Sequence, residues 1–503
     1  MSAVVPMARV LRAEKARWRR DVSARIPWAG LVVGGGLGLL SSGASVSPGW
    51  TAVLAWLNPW AVFVGPMLAV LVVAVSLSGD RASRGGGTWW RPVARWQMDA
   101  AKSAISALFI LMTTFGAVAG VLAVGTTHEA IATLPWARVA EVVATLWAGS
   151  VSIAAVIVRV GRRLGLLASL GIGAVWCVVG ALAAESPFAF AVPPAWAVRA
   201  TIPLFGTHSN GITLPPGSPL AQIDPLPWSL ACIGFAVLVV TVRRREGGLP
   251  GVDHLTAVPA PVTHGEDRAP RIVLSRPSEA WQPRRAGREA SSRSVARATL
   301  VALRRTPLWI VPLVTTASVL LITRWQPPTR VLQVVPLAVV PVVASVTPLI
   351  VWGRLRPAWR AVATRPVALV RPALAAATLT ALVTSCSVVV PLLVLGAVGV
   401  DSTRVRVLVA MCALTGVMWT CVQLVLTIAA GRVVATAAGI IGTFISLLIG
   451  GSVLADRFWR WDPWSWGRLT EPTRVAFAVP VMIATTALSC LALGRVVRRV
   501  AAR

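Results

Sequence analysis

Apolar runs of about twenty residues, the length that crosses the hydrocarbon of a bilayer, recur along this chain between short polar breaks rich in arginine. Six lie in the first half, near residues 27 to 46, 58 to 78, 104 to 125, 139 to 158, 164 to 184 and 227 to 242. Six more lie near 307 to 323, 331 to 352, 372 to 397, 407 to 429, 433 to 454 and 475 to 494. The pattern predicts an all-α integral membrane protein of about twelve transmembrane helices in two six-helix bundles. Residues 246 to 290 between the sets are rich in Pro, Gly and charge, with no apolar period, and read as a disordered linker. The expected organisation is therefore a first six-helix half over 1–245, the linker, and a second six-helix half over 291–503.

Lys and Arg mark the loops that stay on the cytoplasmic side. They crowd the N-terminus, the 79–103 loop, the Arg159–Arg163 turn and the Arg243-Arg244-Arg245 run, whereas loops 47–57 and 126–137 have none. Both termini are thus expected in the cytoplasm, with a long external segment over 185–226. In the second half the signal weakens, because Arg404, Arg406, Arg457, Arg460 and Arg468 would lie outside. The halves also echo each other. Arg91-Pro92-Val93-Ala94 recurs as Arg365-Pro366-Val367-Ala368 after the second span of each half, and residues 7–22 and 292–305 each place apolar residues at helical spacing among arginines before a first span. Trp459, Trp461, Trp464 and Trp466 read as an interfacial aromatic belt.

Composition agrees with the pattern. Of 503 residues, 56% are hydrophobic and 13% charged, too much apolar surface for a water-soluble core of this size. The net charge of +30 would fit nucleic-acid binding, but the arginines bracket apolar runs instead of forming one basic domain. The six cysteines all lie within apolar runs, without the spacing of a zinc site or disulfide framework.

Several activities lack their residues. A phosphate-binding loop needs Lys after Gly, and the two lysines, Lys15 and Lys102, follow Glu14 and Ala101. Ion-coupled carriers use a carboxylate at membrane depth, but all 18 acids lie outside the apolar runs or, like Glu141, at an end. No paired Asp, HExxH or His cluster points to catalysis. The expectation is a non-enzymatic transporter of the cell membrane that binds no cofactor or metal itself.

The loop Arg84-Gly85-Gly86-Gly87-Thr88-Trp89-Trp90-Arg91-Pro92-Val93-Ala94-Arg95-Trp96, running on to Lys102, resembles the cytoplasmic loop of type-2 ABC exporter permeases. Gly87-Thr88, Pro92-Val93, Arg95 and Lys102 follow that family's order between the second and third spans; where the family has an acid before Gly-Thr, the nearest here is Asp80. The second half keeps Arg365-Pro366-Val367 and Arg371. The resemblance implies an interfacial helix before span one, six spans per half and loops that dock a separate ATPase subunit, expected as a dimer, so that ATP acts through the partner. Those loops would present Gly87, Thr88, Pro92, Arg95, Lys102, Arg365, Pro366 and Arg371. Within the family the halves resemble bacterial permeases of antibiotic or lantibiotic self-protection and drug export, and an apolar path lining would favour amphiphilic cargo such as drugs, antibiotic peptides or lipids. The path would be lined by polar residues at membrane depth: Thr113, Thr114, Thr384, Ser385 and Gln423. The competing resemblance is to major-facilitator carriers, whose Asp-Arg and Gly-Arg signature is partly imitated by Gly79-Asp80-Arg81-Ala82-Ser83-Arg84.

Overall fold

The computed structural model describes residues 6–20, 26–43, 49–82, 95–127, 129–242, 292–304, 306–323, 327–363, 370–397, 402–451 and 454–501. These residues form helices and their connections, with no strand. In the first half the helices are α1 (Met7–Arg20), α2 (Ile26–Gly43), α3 (Trp50–Ala55), α4 (Gly65–Ala82), α5 (Arg95–Gly125), α6 (Trp136–Leu164), α7 (Leu166–Ala183), α8 (Pro193–Phe205) and α9 (Pro225–Thr241). The second half has α10 (Ser292–Leu303), α11 (Val311–Ile322), α12 (Pro328–Val334), α13 (Val340–Ala363), α14 (Val370–Gly396), α15 (Ser402–Ala429), α16 (Arg432–Gly450), α17 (Ala455–Phe458) and α18 (Pro472–Ala501). The linker at 246–290 lies outside the described residues.

Nine helices among the described residues are long and apolar enough to cross a membrane, which makes this a multi-pass membrane protein. The other three apolar runs also become helix. Pro27–Ser42 and Pro225–Thr241 are shorter, and Pro307–Ile322 meets Arg297–Leu303 at a bend of 81°.

The two halves fold alike. In each, the amphipathic helix and the first apolar helix pack on the third: α1 and α2 on α5, α10 and α11 on α14. The second packs on the fourth and fifth (α4 on α6 and α7, α13 on α15 and α16), and the fourth on the sixth (α6 on α9, α15 on α18). Two local features repeat with the packing. Each second span contains a π-turn, Trp60–Val64 and Val335–Val339, in which the N–H of Gly65 or Val340 bonds back to the carbonyl of Trp60 or Val335. Pro66 or Pro341 follows immediately; lacking an N–H and clashing with the preceding turn, proline makes the wider turn a natural accommodation. Each fourth-to-fifth connection turns on one glycine of positive φ, Gly165 at 88° and Gly431 at 91°, with ψ near 180°, a conformation open only to glycine.

Two segments depart from the sequence reading. Residues 47–57, expected as an external loop, include helix α3, which runs on through the π-turn into α4. Trp50 fixes it, donating from its indole to Thr133 Oγ1 at 3.0 Å, while the Gly49 amide donates to Glu129. The 185–226 segment contains the buried helix α8, held by Arg138, whose guanidinium donates to the Leu204 carbonyl at 2.7 Å. The halves meet where α16 lies against α4 and the Trp60–Val64 turn, with Ile440 and Phe444 buried among Leu68, Leu71 and Cys177.

Candidate functional site

Three places in the bundle gather polar chemistry. The first is the inward face of α1. Leu11, Glu14 and Trp18 lie three and four residues apart, so they share one helical face, and that face turns inward. Lys102 Nζ of α5, 1% exposed, donates to Glu14 Oε1 at 3.0 Å, and the Trp18 indole donates to the same oxygen at 3.2 Å. Arg17 reaches Glu14 Oε2 at 3.7 Å and donates to the Ser76 carbonyl of α4 at 2.9 Å. Trp18 then packs on Phe109, ring centroids 4.8 Å apart. Helix α1 is thus bonded to both helices that flank the 83–94 loop.

Of the expected loop residues, Gly87, Thr88, Pro92, Arg365 and Pro366 lie outside the described residues, as does the side chain of Arg95, which opens α5. Arg371 sits in the first turn of α14. Lys102 is not at the loop surface: its ammonium lies within the α1–α5 contact, committed to a carboxylate 88 residues away.

The second place is a knot of hydroxyls where α13, α14 and α15 converge. Thr384 Oγ1 lies 2.9 Å from Thr347 Oγ1 and accepts from Thr420 Oγ1 at 3.0 Å; all three side chains are buried. One turn along, Gln423 turns its amide to α16; in the amide orientation that satisfies both neighbours, its nitrogen donates to the Ala435 carbonyl at 3.0 Å and its oxygen accepts from Gly439 N–H at 3.3 Å. Ser385 is half-buried. Thr113 donates to its own helix at Phe109 and borders the tight crossing of α2 and α5. Thr114 lines a crevice of about 10 Å³ with Trp60 and Ile110, room for about one water. The five polar residues therefore do not share a chamber; Thr384 and Gln423 join helices of the second half, while Thr113 and Thr114 lie at helix crossings of the first.

The third place is a cavity of about 460 Å³ between the halves, walled by Leu164, Leu166 and Leu167 of the first and by Thr306, Leu349, Arg354 and Arg432 of the second, among others. It lies at the arginine-bearing helix ends.

The sequence reading missed Glu14, Arg432 and Asp462. Glu14 could have been found as the acid that falls on the apolar face of α1. Asp462 lies outside the long apolar helices, in the turn before Trp464, and is fully buried with no hydrogen-bond partner for either carboxylate oxygen. Burial pushes its pKa up to about 6; Ser465 and Trp464, which do not meet bonding geometry, and the charge of Arg468 pull it back only in part. The tryptophans around it do not form a simple belt. Trp461 is exposed, whereas Trp466 is buried and Trp464 stacks on Trp419 of α15 at 4.0 Å.

Compared with family models, curated proteins and solved structures, the chain matches none.

Proposed function

We propose that the chain is the membrane-spanning permease of an ATP-binding-cassette exporter that moves amphiphilic cargo, a drug, antibiotic peptide or lipid, across the cytoplasmic membrane. In this reading it forms two six-helix halves, twelve spans in all, with both termini cytoplasmic. A separate ATPase subunit, as a dimer, docks on loops 79–103 and 353–371 and hydrolyses ATP.

The observation that carries the reading is the paired architecture. Two halves with the same helix contacts, the same proline-linked π-turn and the same glycine turn meet along one seam, the arrangement expected of a transporter that opens by rocking one half against the other, which the rival carriers share. The inward face of α1 supports the docking role. Because Glu14 bonds Lys102 and Arg17 bonds the α4 backbone, α1, α4 and α5 form one packed unit at the loop they flank, and force applied to that loop would reach the seam through α4. The rival carrier reading needs a titratable carboxylate at membrane depth; the buried Glu14 lies midway along α1, the amphipathic helix that precedes the first apolar run, engaged by Lys102 and Arg17.

Substituting Thr88→Ala and Arg95→Ala in cells that export the cargo tests the docking assignment. Lost transport with unchanged protein level and unchanged melting temperature supports it. Full transport by both variants rejects this loop as the docking site.

A further inference from the structure

The cavity between the halves has an unusual charge balance. Arg354 and Arg432 both line it, and Arg356 lies near enough to Arg432 to repel it, yet none of the three has an ion-pair partner among the described residues. Arg432 is placed with care. Its Nη2 donates to the Gly353 carbonyl at 3.3 Å, a long bond, and its Nε is buried with no partner. A Cβ on Gly353 would come within 3.4 Å of that guanidinium, so the arginine lies against bare backbone. Arg354 and Arg356 are exposed and Arg432 is half-buried; holding the Arg432 guanidinium partly out of water without a counter-charge is unfavourable, and an anion in the cavity, met also by the exposed Arg354, would supply one.

The remaining wall is apolar. Leu166 and Leu167 of α7 face Leu349 and Ile350 of α13 across the opening. A volume of about 460 Å³ falls in the range of small-ligand pockets: enough for a phosphate-bearing head and its first methylenes, too little for whole acyl chains. Planar guanidiniums pair with phosphate oxygens in two-pronged fashion, and basic pockets between membrane helices at the inner surface are suited to anionic headgroups.

We propose that this cavity binds the headgroup of an acidic phospholipid, with the phosphate between Arg354 and Arg432 and the start of its tails along Leu166, Leu167, Leu349 and Ile350. The lipid bridges the halves, since the arginines belong to one and Leu164, Leu166 and Leu167 to the other. Its occupancy therefore adjusts how firmly the seam is held. The site does not depend on an ATPase partner.

The test uses the purified, delipidated full-length chain in detergent, with melting temperature and native mass spectrometry as readouts. Phosphatidylglycerol, phosphatidylcholine and inorganic phosphate are added separately. Phosphatidylglycerol should raise the melting temperature and remain bound, while phosphatidylcholine does neither and phosphate alone gives the smaller shift. R354Q/R432Q should weaken phosphatidylglycerol binding by about tenfold for each arginine. Leu167→Trp, which fills the cavity from the other half and leaves both arginines in place, should weaken it too, so that loss of binding is separated from damage to the arginine-bearing helices. Equal binding of both lipids, or undiminished phosphatidylglycerol binding by both variants, overturns the site. Equal protection by phosphate and by lipid overturns its apolar part. ATPase co-purification is unaffected in either case, so failure here is distinct from failure of the exporter reading.

Discussion

The contact between Glu14 and Lys102 should be a strongly coupled pair. Breaking a buried ion pair from one side typically costs about 3–5 kcal/mol, while replacing both partners with apolar groups of similar size is close to neutral. Here Glu14 is 8% and Lys102 1% exposed. In Lys102→Met the carboxylate keeps the Trp18 indole at 3.2 Å and Arg17 at 3.7 Å, so the loss should fall near or just below the low end, at about 2–3 kcal/mol. Glu14→Leu removes the carboxylate from a buried ammonium and should cost at least as much. The double variant should lose less than the two singles together, leaving a coupling of about 1–3 kcal/mol. Denaturation of the purified protein gives the three values, and limited trypsin digestion at Arg9 and Arg12 reports release of α1 separately. Additive losses, with α1 equally protected in every variant, would refute the clamp.

Two other sites give independent outcomes. Asp462 binds its proton more tightly in the folded protein, with a pKa of about 6 against an ordinary 3.8, so stability should fall as pH rises through that window and the full penalty apply above it. At 1.36 kcal/mol per tenfold in proton affinity this amounts to about 3 kcal/mol, so Asp462→Asn should flatten the pH profile and be the more stable protein at pH 7 by thermal melting; a profile like that of the wild type counts against a buried, unpaired acid. At the crossing of α2 and α5, a Cβ on Gly120 would lie 2.5 Å from the Gly35 nitrogen and 2.6 Å from the Leu31 carbonyl. Small residues let membrane helices approach this closely, so Gly120→Val should destabilise by at least about 1–3 kcal/mol, whereas Gly35→Ala, which meets nothing within 4 Å, should melt as the wild type does.

What the sequence revealed depends on the range of the interaction. Apolar runs and helical spacing are local, and each of the twelve runs became helix, as did the stretches around 7–22 and 292–305 in α1 and α10. The Arg-Pro-Val-Ala echo pointed to a repeat that the π-turns and glycine turns carry much further. Long-range chemistry was less legible. Lys102 reads as a loop residue until α1 folds back over 88 positions. Thr384 reads as path lining until Thr347 and Thr420 arrive from two other helices. Helix α8, only 13 residues long and containing Arg199 and Pro203, resembles loop in sequence because its stability comes from its neighbours, including Arg138 at its C-terminal end. Asp462 gives no local sign of burial, since the turn that encloses it is anchored by Trp464 on Trp419.

The central claim is tested most directly by purifying the tagged chain from its native membranes in mild detergent, identifying what accompanies it by mass spectrometry, and assaying the complex for vanadate-sensitive ATP hydrolysis. The account predicts a stoichiometric ATPase subunit carrying a phosphate-binding loop, together with that activity. A chain that emerges alone and inactive, even after crosslinking in the membrane, would contradict it.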